Sequence, residues 1–390
     1  MNTNIKQSGV YSITGPNRRL TRLANLWFAV PTVAILALMA LAPHAFAGGT
    51  WKNVFPNPGL TNPRMKFNTG TRINGADLAG LSRYLPAMPG PLSGWTVTMW
   101  HRHEILNARE MIKNDENLSD PRLGVPTYAF ITPNHKMHLA IFRDHKSHRW
   151  VYDLFEKDGM LLPNGGANLF LSAHARNGHF TMNHPIIYNL WAKISQAHIR
   201  YYNSSAEKSG AVLAQVFTGF IFSVPSVHPA DRITLFLQIP LADSRDGKFG
   251  GAPYGGRGGI TYQLCDSGKN GTVITENIAA PGGCPLPFRP QRGPLRHFRY
   301  RLNSFLREAL ANPPMFRNSR GKMQRLVYTS HAKNMKSWEL ASMYVGLETE
   351  NSDFRRGVTN HRPQGSVSVA LQVANLRVMT EARQASGPVK

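Results

Sequence analysis

The residue types best suited to chemistry occur together in the stretch from Gly94 to Leu106, which reads GWTVTMWHRHEIL. In an extended strand, successive side chains point to opposite faces, so this stretch presents two different surfaces. The first surface is apolar and consists of Trp95, Val97 and Met99. The second carries an aromatic ring, a cation and a carboxylate, from Trp100, Arg102 and Glu104. Because a tryptophan is uncommon on a strand face that serves only solubility, we predict that the second surface binds a ligand.

Two later stretches show the same mixture when a period of two is applied to them. In residues 232–239 one side is apolar, and Phe236 and Gln238 lie on the other side. In residues 338–349 the side opposite the apolar one includes Tyr344 and Glu348. Sugar rings stack on aromatic rings, and their hydroxyl groups pair with carboxylates, amides and guanidinium groups. We therefore predict a glycan-binding face built from Trp100, Arg102, Phe236, Gln238 and Tyr344.

Two catalytic alternatives use residues of the same strands. A glycoside hydrolase needs two carboxyl groups, about 5–5.5 Å apart for retaining cleavage and farther apart for inverting cleavage. Glu104 and Glu348 are the candidate catalytic pair. A polysaccharide lyase would need a base and a group that neutralises the substrate carboxylate, and Tyr344 and Arg102 are suitable types. Each enzyme motif is incomplete in this sequence, which favours non-catalytic binding over either alternative.

The end of the chain contains a Gly-x-Glu motif, Gly346-Leu347-Glu348. Residues 338–378 resemble the closing strands of concanavalin-like β-sandwich glycan proteins, including the family 12 endoglucanases. In that family a Gly-x-Glu on a late strand carries the catalytic acid/base, so the resemblance implies this role for Glu348. The family's earlier Glu-x-Met-Ile-Trp nucleophile motif has no counterpart at Met99-Trp100, since no Glu stands two residues before Met99.

A His-x-His pair, His101 and His103, would place two imidazoles on one face of the strand, as in some metal sites. A cupin-like site would also need a Glu four or five residues after the second His. Those positions hold Asn107 and Ala108. We therefore predict no metal site and no cofactor.

The first 47 residues have the features of a bacterial signal peptide. A basic region without acidic residues is followed by an apolar run from Trp27 to Ala42 and by the cleavage motif Ala45-Phe46-Ala47. The apolar run is shorter than the ~20 residues of a spanning helix. We predict cleavage after Ala47, a periplasmic or secreted location and no transmembrane segment in the mature chain. Retention of residues 1–47 as an uncleaved anchor is the alternative.

The chain contains two cysteines, Cys265 and Cys284. In an exported protein such a pair is expected to form a disulfide, which would close a Gly- and Asn-rich loop and stabilise the fold by about 3 kcal/mol. A metal site would need more ligands than two thiols, and no histidine lies between them. We predict a disulfide between the two.

The chain is strongly basic, with 45 Lys plus Arg against 22 Asp plus Glu and a net charge of +23. Such a charge favours anionic partners, among them acidic polysaccharide, lipopolysaccharide and nucleic acid. The basic residues are spread along the sequence and form no run of the kind that binds nucleic acid. We predict a polysaccharide partner, either neutral or anionic, and no nucleic acid.

Short apolar runs separated by turn residues, without interleaved helical periods, favour an all-β antiparallel fold. We predict a jelly-roll or concanavalin-like β-sandwich over residues 93–390, after an extended segment over residues 48–92. Such a fold also suits a structural or assembly protein of the cell envelope that recognises proteins through its sheet edges. The predicted strands are 127–131, 137–143, 149–155, 167–173, 186–190, 197–202, 212–224, 232–239, 338–349 and 366–379.

Two helical elements are predicted beside the strands. Residues 298–311 place Phe298, Leu302, Phe305, Leu306, Ala309 and Leu310 on one helix face, and Asn312-Pro313-Pro314 ends the pattern. A single helical turn is predicted at residues 77–84. We expect the longer helix to pack on an end or an outer face of the sandwich.

Overall fold

The computed structural model describes residues 51–73, 76–78, 83–84, 93–100, 111–112, 118–131, 135–158, 167–175, 180–204, 212–225, 233–244, 260–266, 275–278, 285–313, 315–317, 322–351 and 363–381. The α-helix whose whole length lies within these residues is α1 (Leu302–Ala311). The strands are β1 (Trp51–Asn53), β2 (Lys66–Ile73), β3 (Ala76–Leu78), β4 (Arg83–Tyr84), β5 (Trp95–Trp100), β6 (Met111–Ile112), β7 (Tyr128–Ile131), β8 (Met137–Arg143), β9 (Trp150–Lys157), β10 (Ala167–His174), β11 (Ile186–Tyr201), β12 (Val212–Val224), β13 (Ile233–Asp243), β14 (Ile260–Asp266), β15 (Thr275–Ile278), β16 (Arg296–Arg301), β17 (Met315–Arg317), β18 (Met323–Arg325), β19 (Glu339–Asn351) and β20 (Gly365–Glu381).

The strands form two large sheets. Sheet A has the order β16-β11-β20-β9-β8-β7-β6, with β1 paired to the end of β20. Sheet B has the order β15-β14-β13-β12-β19-β10-β5-β2-β3, with β4 paired to β2. Among the described strands the pairs are antiparallel, except that β2 and β5 run parallel. The topology confirms the predicted all-β antiparallel sandwich of jelly-roll or concanavalin-like type with one added helix.

The hydrophobic core lies between the two sheets and takes alternate residues from their strands. In β19 the fully buried apolar side chains are Met343, Val345 and Leu347. The sheets meet directly where Tyr188 of β11 packs edge-on against Phe220 of β12, with ring centroids 5.0 Å apart. Each buried apolar side chain of this size contributes about 1.5–3 kcal/mol to folding. The alternation predicted for residues 338–349 is confirmed, because burial of β19 between the two sheets requires it.

The prediction of two separate strands at 186–190 and 197–202 is wrong, because β11 runs without a break from Ile186 to Tyr201. Its pairing with β20 contains two register shifts, between Asn189 and Trp191 and between Ile194 and Gln196. A bulge places two residues opposite one and interrupts the alternation of faces while the strand continues. The sequence pattern therefore loses its period of two in the middle of a single long strand.

The predicted helix exists but begins four residues later than its apolar spacing indicated. Phe298 belongs to β16 and pairs with Leu190 of β11, so the helix starts only at Leu302. Leu302 and Leu306 are fully buried in the core. Pairing of β16 with β11 at the sheet edge therefore keeps residues 298–301 in a strand, although their apolar spacing also fits a helix.

Asn303, which is 4% exposed, joins the helix to the start of β11. Its Oδ1 accepts a hydrogen bond from the backbone N–H of Ile186 at 2.7 Å. Its Nδ2 donates to the backbone oxygens of Met182 at 2.6 Å and His184 at 2.8 Å. Because an unpaired buried polar group costs about 1–3 kcal/mol, this one side chain satisfies backbone groups that would otherwise oppose the packing of the helix.

Residues 51–65 cover the region between the two sheets. Leu60 and Met65 are fully buried in the core. The indole Nε1–H of Trp95 in sheet B donates to the backbone oxygen of Pro56 at 2.8 Å, and the hydroxyl of Tyr152 in sheet A donates to that of Leu60 at 3.1 Å. Farther along, the two ends of the predicted helical turn at 77–84 belong to β3 and β4, and residues 79–82 lie outside the described residues.

The loop of residues 118–124 lies against the outer face of sheet A and is held there by Asp120. The carboxylate accepts a hydrogen bond from Nε2 of Gln372 at 2.9 Å and lies 3.6 Å from Nζ of Lys193. It also accepts hydrogen bonds from the backbone N–H groups of Arg122 and Leu123. Burial raises the pKa of Asp120, but the hydrogen bonds and the Lys193 charge outweigh it and hold the pKa below its ordinary value of 3.8.

We expect Asp120→Asn to reduce the pH dependence of stability in the acid range. Since the pKa of Asp120 is lower in the folded than in the unfolded chain, its contribution is fully present above pH 3.8 and is lost as the pH falls through the folded pKa. Denaturant unfolding at neutral and acid pH would measure this, with Glu308→Gln on the exposed side of α1 as control. An unchanged loss of stability in acid for Asp120→Asn would contradict the assignment.

Some sequence predictions fall outside the described residues. The predicted signal peptide at 1–47 is one of them, and Cys284 is another. The backbone of Cys265 lies in β14, but the disulfide stays a prediction. Within the residues that the structure describes, no helix is both long enough and apolar enough to cross a membrane.

Candidate functional site

The outer face of sheet B, on the side away from the core, combines the strands whose mixed faces the sequence predicted. β13, β12, β19, β10 and β5 are consecutive neighbours in the sheet. Their registers align the outward residues in four cross-strand rows. In order the rows are His174, Ser342, Ile221 and Phe236; Thr96, Ser172, Tyr344, Gly219 and Gln238; Thr98, Phe170, Gly346, Phe217 and Pro240; and Trp100, Asn168, Glu348, Gln215 and Asp243.

Four aromatic rings form a continuous cluster across this face. Phe170 packs edge-on against Phe217 with centroids 5.1 Å apart and against Tyr344 at 6.1 Å. Tyr344 in turn packs edge-on against Phe236 at 6.0 Å. These separations lie in the range of favourable aromatic pairs. Phe170 and Phe217 are nearly buried, whereas Tyr344 and Phe236 are partly exposed. The inner pair therefore supports the two rings that a ligand could contact.

Two glycines on neighbouring strands make room for the outer rings. A Cβ atom on Gly219 would lie 2.5 Å from Cζ of Phe236, so this ring covers the glycine. A Cβ atom on Gly346 would lie 2.6 Å from Cδ1 of Phe170 and would overlap the backbone oxygen of Leu169. Gly346 pairs directly with Phe170, whereas Gly219 is a diagonal neighbour of Phe236. Each ring can lie flat against the sheet only because the residue beneath it has no side chain. The flat surface depends on both glycines.

The described side chains of the fourth row are polar and include two carboxylates with an amide between them. Glu348 pairs with Asn168 on one side and with Gln215 on the other, and Gln215 pairs with Asp243. Nε2 of Gln215 donates a hydrogen bond to Oδ2 of Asp243 at 2.9 Å. Adjacent strands lie about 4.8 Å apart, which places the backbones of Glu348 and Asp243 about 10 Å apart. Glu350 follows Glu348 on the same face, so this end of the face is acidic.

The predicted binding residues differ in how far the structure describes them. Phe236, Gln238, Tyr344 and Glu348 share the outer face of sheet B. Gln238 and Tyr344 occupy one row, Phe236 lies in the adjacent row, and Glu348 lies two rows away on the other side. The backbone of Trp100 belongs to the fourth row, beside Asn168. Arg102 and Glu104 lie outside the described residues, as do His101 and His103. Their roles stay predictions.

Five residues of the face were not identified from the sequence. They are Asn168, Phe170, Gln215, Phe217 and Asp243. The same alternation, applied to 167–174 and 212–224, would have found the first four, since each lies between core residues of its strand. Asp243 could not have been found in this way. A register shift between Val216 and Phe217 changes the face on which the end of β13 lies.

Within the described part of the chain, no group of three or more His, Cys, Asp or Glu side chains is arranged to hold a metal ion. The chemistry that the described face can offer is therefore aromatic stacking and hydrogen bonding, with carboxylates at one end.

We expect Gly346→Ala to destabilise the protein more than Gly219→Ala. Overpacking costs about 1–3 kcal/mol. Gly219→Ala displaces a Phe236 ring at the surface, whereas Gly346→Ala also meets the backbone of β10, which cannot rotate away. Gly293, which has open space around its Cα, provides the control Gly293→Ala, expected within about 0.5 kcal/mol of the wild type. Equal unfolding free energies for all three variants would exclude the packing role of the glycines.

Comparisons with known proteins find little that resembles this chain in sequence or in structure. No protein-family profile matches the sequence, and none of the curated proteins matches it. Among the solved structures, one neighbour is a meso-active thermo-stable cellulase derived by non-contiguous mutations in the active surface of the Cel12A cellulase of Rhodothermus marinus. The TM-score is 0.27 at 10% sequence identity, over 64% of this chain and 93% of that chain. Because this similarity is low, the fold description rests on strand order and register alone.

Proposed function

We propose that this protein is an exported carbohydrate-binding β-sandwich that binds cell-surface or extracellular polysaccharide on the outer face of sheet B. The observation that carries the proposal is the combination of aromatic rings and polar groups on one partly exposed face. Tyr344 and Phe236 offer ring surfaces, and the row of Glu348, two rows away from that of Tyr344, offers carboxylate and amide groups. A sugar ring needs both kinds of group, since its CH face is apolar and its rim carries hydroxyl groups.

The charges of this face favour a neutral glycan. Glu348 and Glu350 are partly exposed at one end, and the neighbouring Asp243 is 3% exposed. An acidic polymer would be repelled by the carboxylates, although the chain as a whole is basic. Glycan hydroxyls, by contrast, donate well to carboxylates.

We expect Tyr344→Ala to weaken binding of a neutral polysaccharide by about tenfold. The loss of one aromatic stacking partner removes up to about 1.5 kcal/mol, and 1.4 kcal/mol corresponds to a factor of ten in Kd. The measurement is a titration of the mature protein against a panel of neutral and acidic polysaccharides. The matched control is Tyr202→Ala, because Tyr202 is 59% exposed and directly follows the end of β11 in sheet A.

Two outcomes would refute the binding proposal. The first is a wild-type protein that binds none of the polysaccharides on the panel. The second is a loss of affinity that is equal in Tyr344→Ala and Tyr202→Ala. Circular dichroism and unfolding curves of each variant would show that any loss of binding does not come from loss of the fold.

A glycoside hydrolase of the same fold is the second candidate, and the fourth row favours it. Glu348 and Asp243 flank Gln215, with their backbones about two strand spacings apart. Inverting hydrolysis uses two carboxyl groups about 6.5–9.5 Å apart, with room for a water molecule. In this scheme Glu348 is the general acid and Asp243 the base that activates water. The hydrogen bond from Gln215 would orient the base.

We expect that, if the protein is a hydrolase, Glu348→Gln and Asp243→Asn each abolish the release of reducing ends, because each removes one of the two proton-transfer groups. Glu308→Gln, at an exposed position of α1, should retain full activity. Product analysis by NMR would give the anomeric configuration, with inversion expected from the wide spacing. Wild-type protein that binds the polysaccharide without releasing any product would leave binding alone as the function.

A further inference from the structure

The edge of sheet A carries a cluster of basic side chains far from the face described above. β16 is the edge strand, and its outward residues are His297, Arg299 and Arg301, all exposed. Residues 285–301 contain five arginines and one histidine and no Asp or Glu. We call the outward residues of β16, together with Arg149 and Arg377, the basic edge.

Strand register brings the members of the basic edge together. Arg299 pairs with Asn189 of β11, and Asn189 pairs with Arg377 of β20, so two exposed guanidinium groups flank one amide. Nε2 of His297 lies 3.3 Å from Oδ1 of the same Asn189. Residues i and i+2 of a strand are about 6.8 Å apart, so His297, Arg299 and Arg301 form a regular line of donors.

Trp191 orders the cations at one end of this line. Its ring stacks on that of His297 with centroids 5.0 Å apart. Cζ of Arg149 lies 5.4 Å from the centroid of the Trp191 ring. Such cation–π contacts contribute about 0.5–1 kcal/mol at exposed sites. They hold the guanidinium group of Arg149 near the β16 line instead of leaving it to move freely in solvent.

Two described carboxylates near the basic edge are engaged by other groups. Asp120, in the loop of residues 118–124, is engaged by Lys193 and Gln372. Asp153, only 7% exposed, accepts a hydrogen bond from Ser195 at 2.7 Å and contacts the His138 ring at 3.2 Å. Asp153 lies in a strand row beyond Trp191, toward the middle of the sheet. The exposed guanidinium groups of the basic edge therefore add positive charge to this part of the surface.

Protection of a sheet edge against aggregation explains only part of this arrangement. Charged residues on an edge strand prevent pairing with another chain, which accounts for the arginines of β16. Arg377 lies on β20, the third strand of the sheet, and Arg149 precedes β9, the fourth. Neither residue guards an edge, yet both extend the positive surface inward from β16. A surface of this shape indicates a ligand.

We propose that the basic edge is a second binding site, which takes an acidic polysaccharide carrying carboxylate or sulfate groups. Arginine forks match such groups in geometry and form charge-assisted hydrogen bonds with them. A regular line of donors along a flat strand suits an extended polymer with charges at regular intervals. Single-stranded nucleic acid fits less well, because it requires open aromatic platforms and the ring of Trp191 already contacts Arg149 and His297.

The test is binding of the mature protein to polygalacturonate and dextran sulfate, with uncharged dextran as reference, at two salt concentrations. We expect the double variant Arg299→Gln/Arg377→Gln to raise Kd for both acidic polymers at least tenfold and to reduce the dependence on salt. The control Lys333→Gln/Lys336→Gln removes the same charge from two exposed positions elsewhere and should change Kd less than twofold. Equal losses in both double variants would overturn the proposal, since net charge alone would then explain binding.

Two further results would also overturn it. One is the absence of binding to either acidic polymer at low salt. The other is single-stranded DNA that binds as tightly as the acidic polysaccharides and depends equally on Arg299 and Arg377. The proposal fails independently of the glycan face on sheet B. Tyr344→Ala should leave binding of the acidic polymers unchanged, and the arginine double variant should leave binding of neutral polysaccharide unchanged.

Discussion

The structure depends on the burial of alternate residues between two sheets. In β19, Met343, Val345 and Leu347 are fully buried, so Tyr344, Gly346 and Glu348 must point to the opposite side. Because a shift of one residue would bury the polar set and expose the apolar set, the core determines the register of each central strand. Everything on the outer face of sheet B follows from this constraint. The candidate site therefore consists of the residues that alternate with the core residues along these strands.

A second constraint acts on the outer face itself. Aromatic side chains on adjacent strands compete for the same space above a sheet. Here each of two rings lies over a glycine of the neighbouring strand, Phe236 over Gly219 and Phe170 over Gly346. Both rings lie close to the backbone of the sheet, and Tyr344 contacts both Phe170 and Phe236. A glycine in a strand normally weakens it, but here the loss is offset by ring packing on its neighbour.

The outer faces of the two sheets have opposite electrostatic character. Sheet B carries Glu348 and Glu350 at one end of its aromatic face. Sheet A carries exposed arginines beside Trp191. A chain with a net charge of +23 can therefore present an acidic surface on one sheet and a basic surface on the other. The separation is possible because the core between the sheets isolates the two faces from each other.

The sequence by itself determined the fold class and the core faces of β13 and β19, because both follow from local alternation of apolar residues. It also identified Tyr344, Glu348, Phe236 and Gln238 as outward residues. Tertiary structure alone decided that these residues share one surface, since this depends on the strand order β13-β12-β19-β10-β5, which joins segments more than 200 residues apart. Non-local pairing also decided where α1 begins, that β11 is one long strand, and on which face Asp243 lies. The reason is that bulges and edge pairing depend on the partner strand, which the local sequence does not identify.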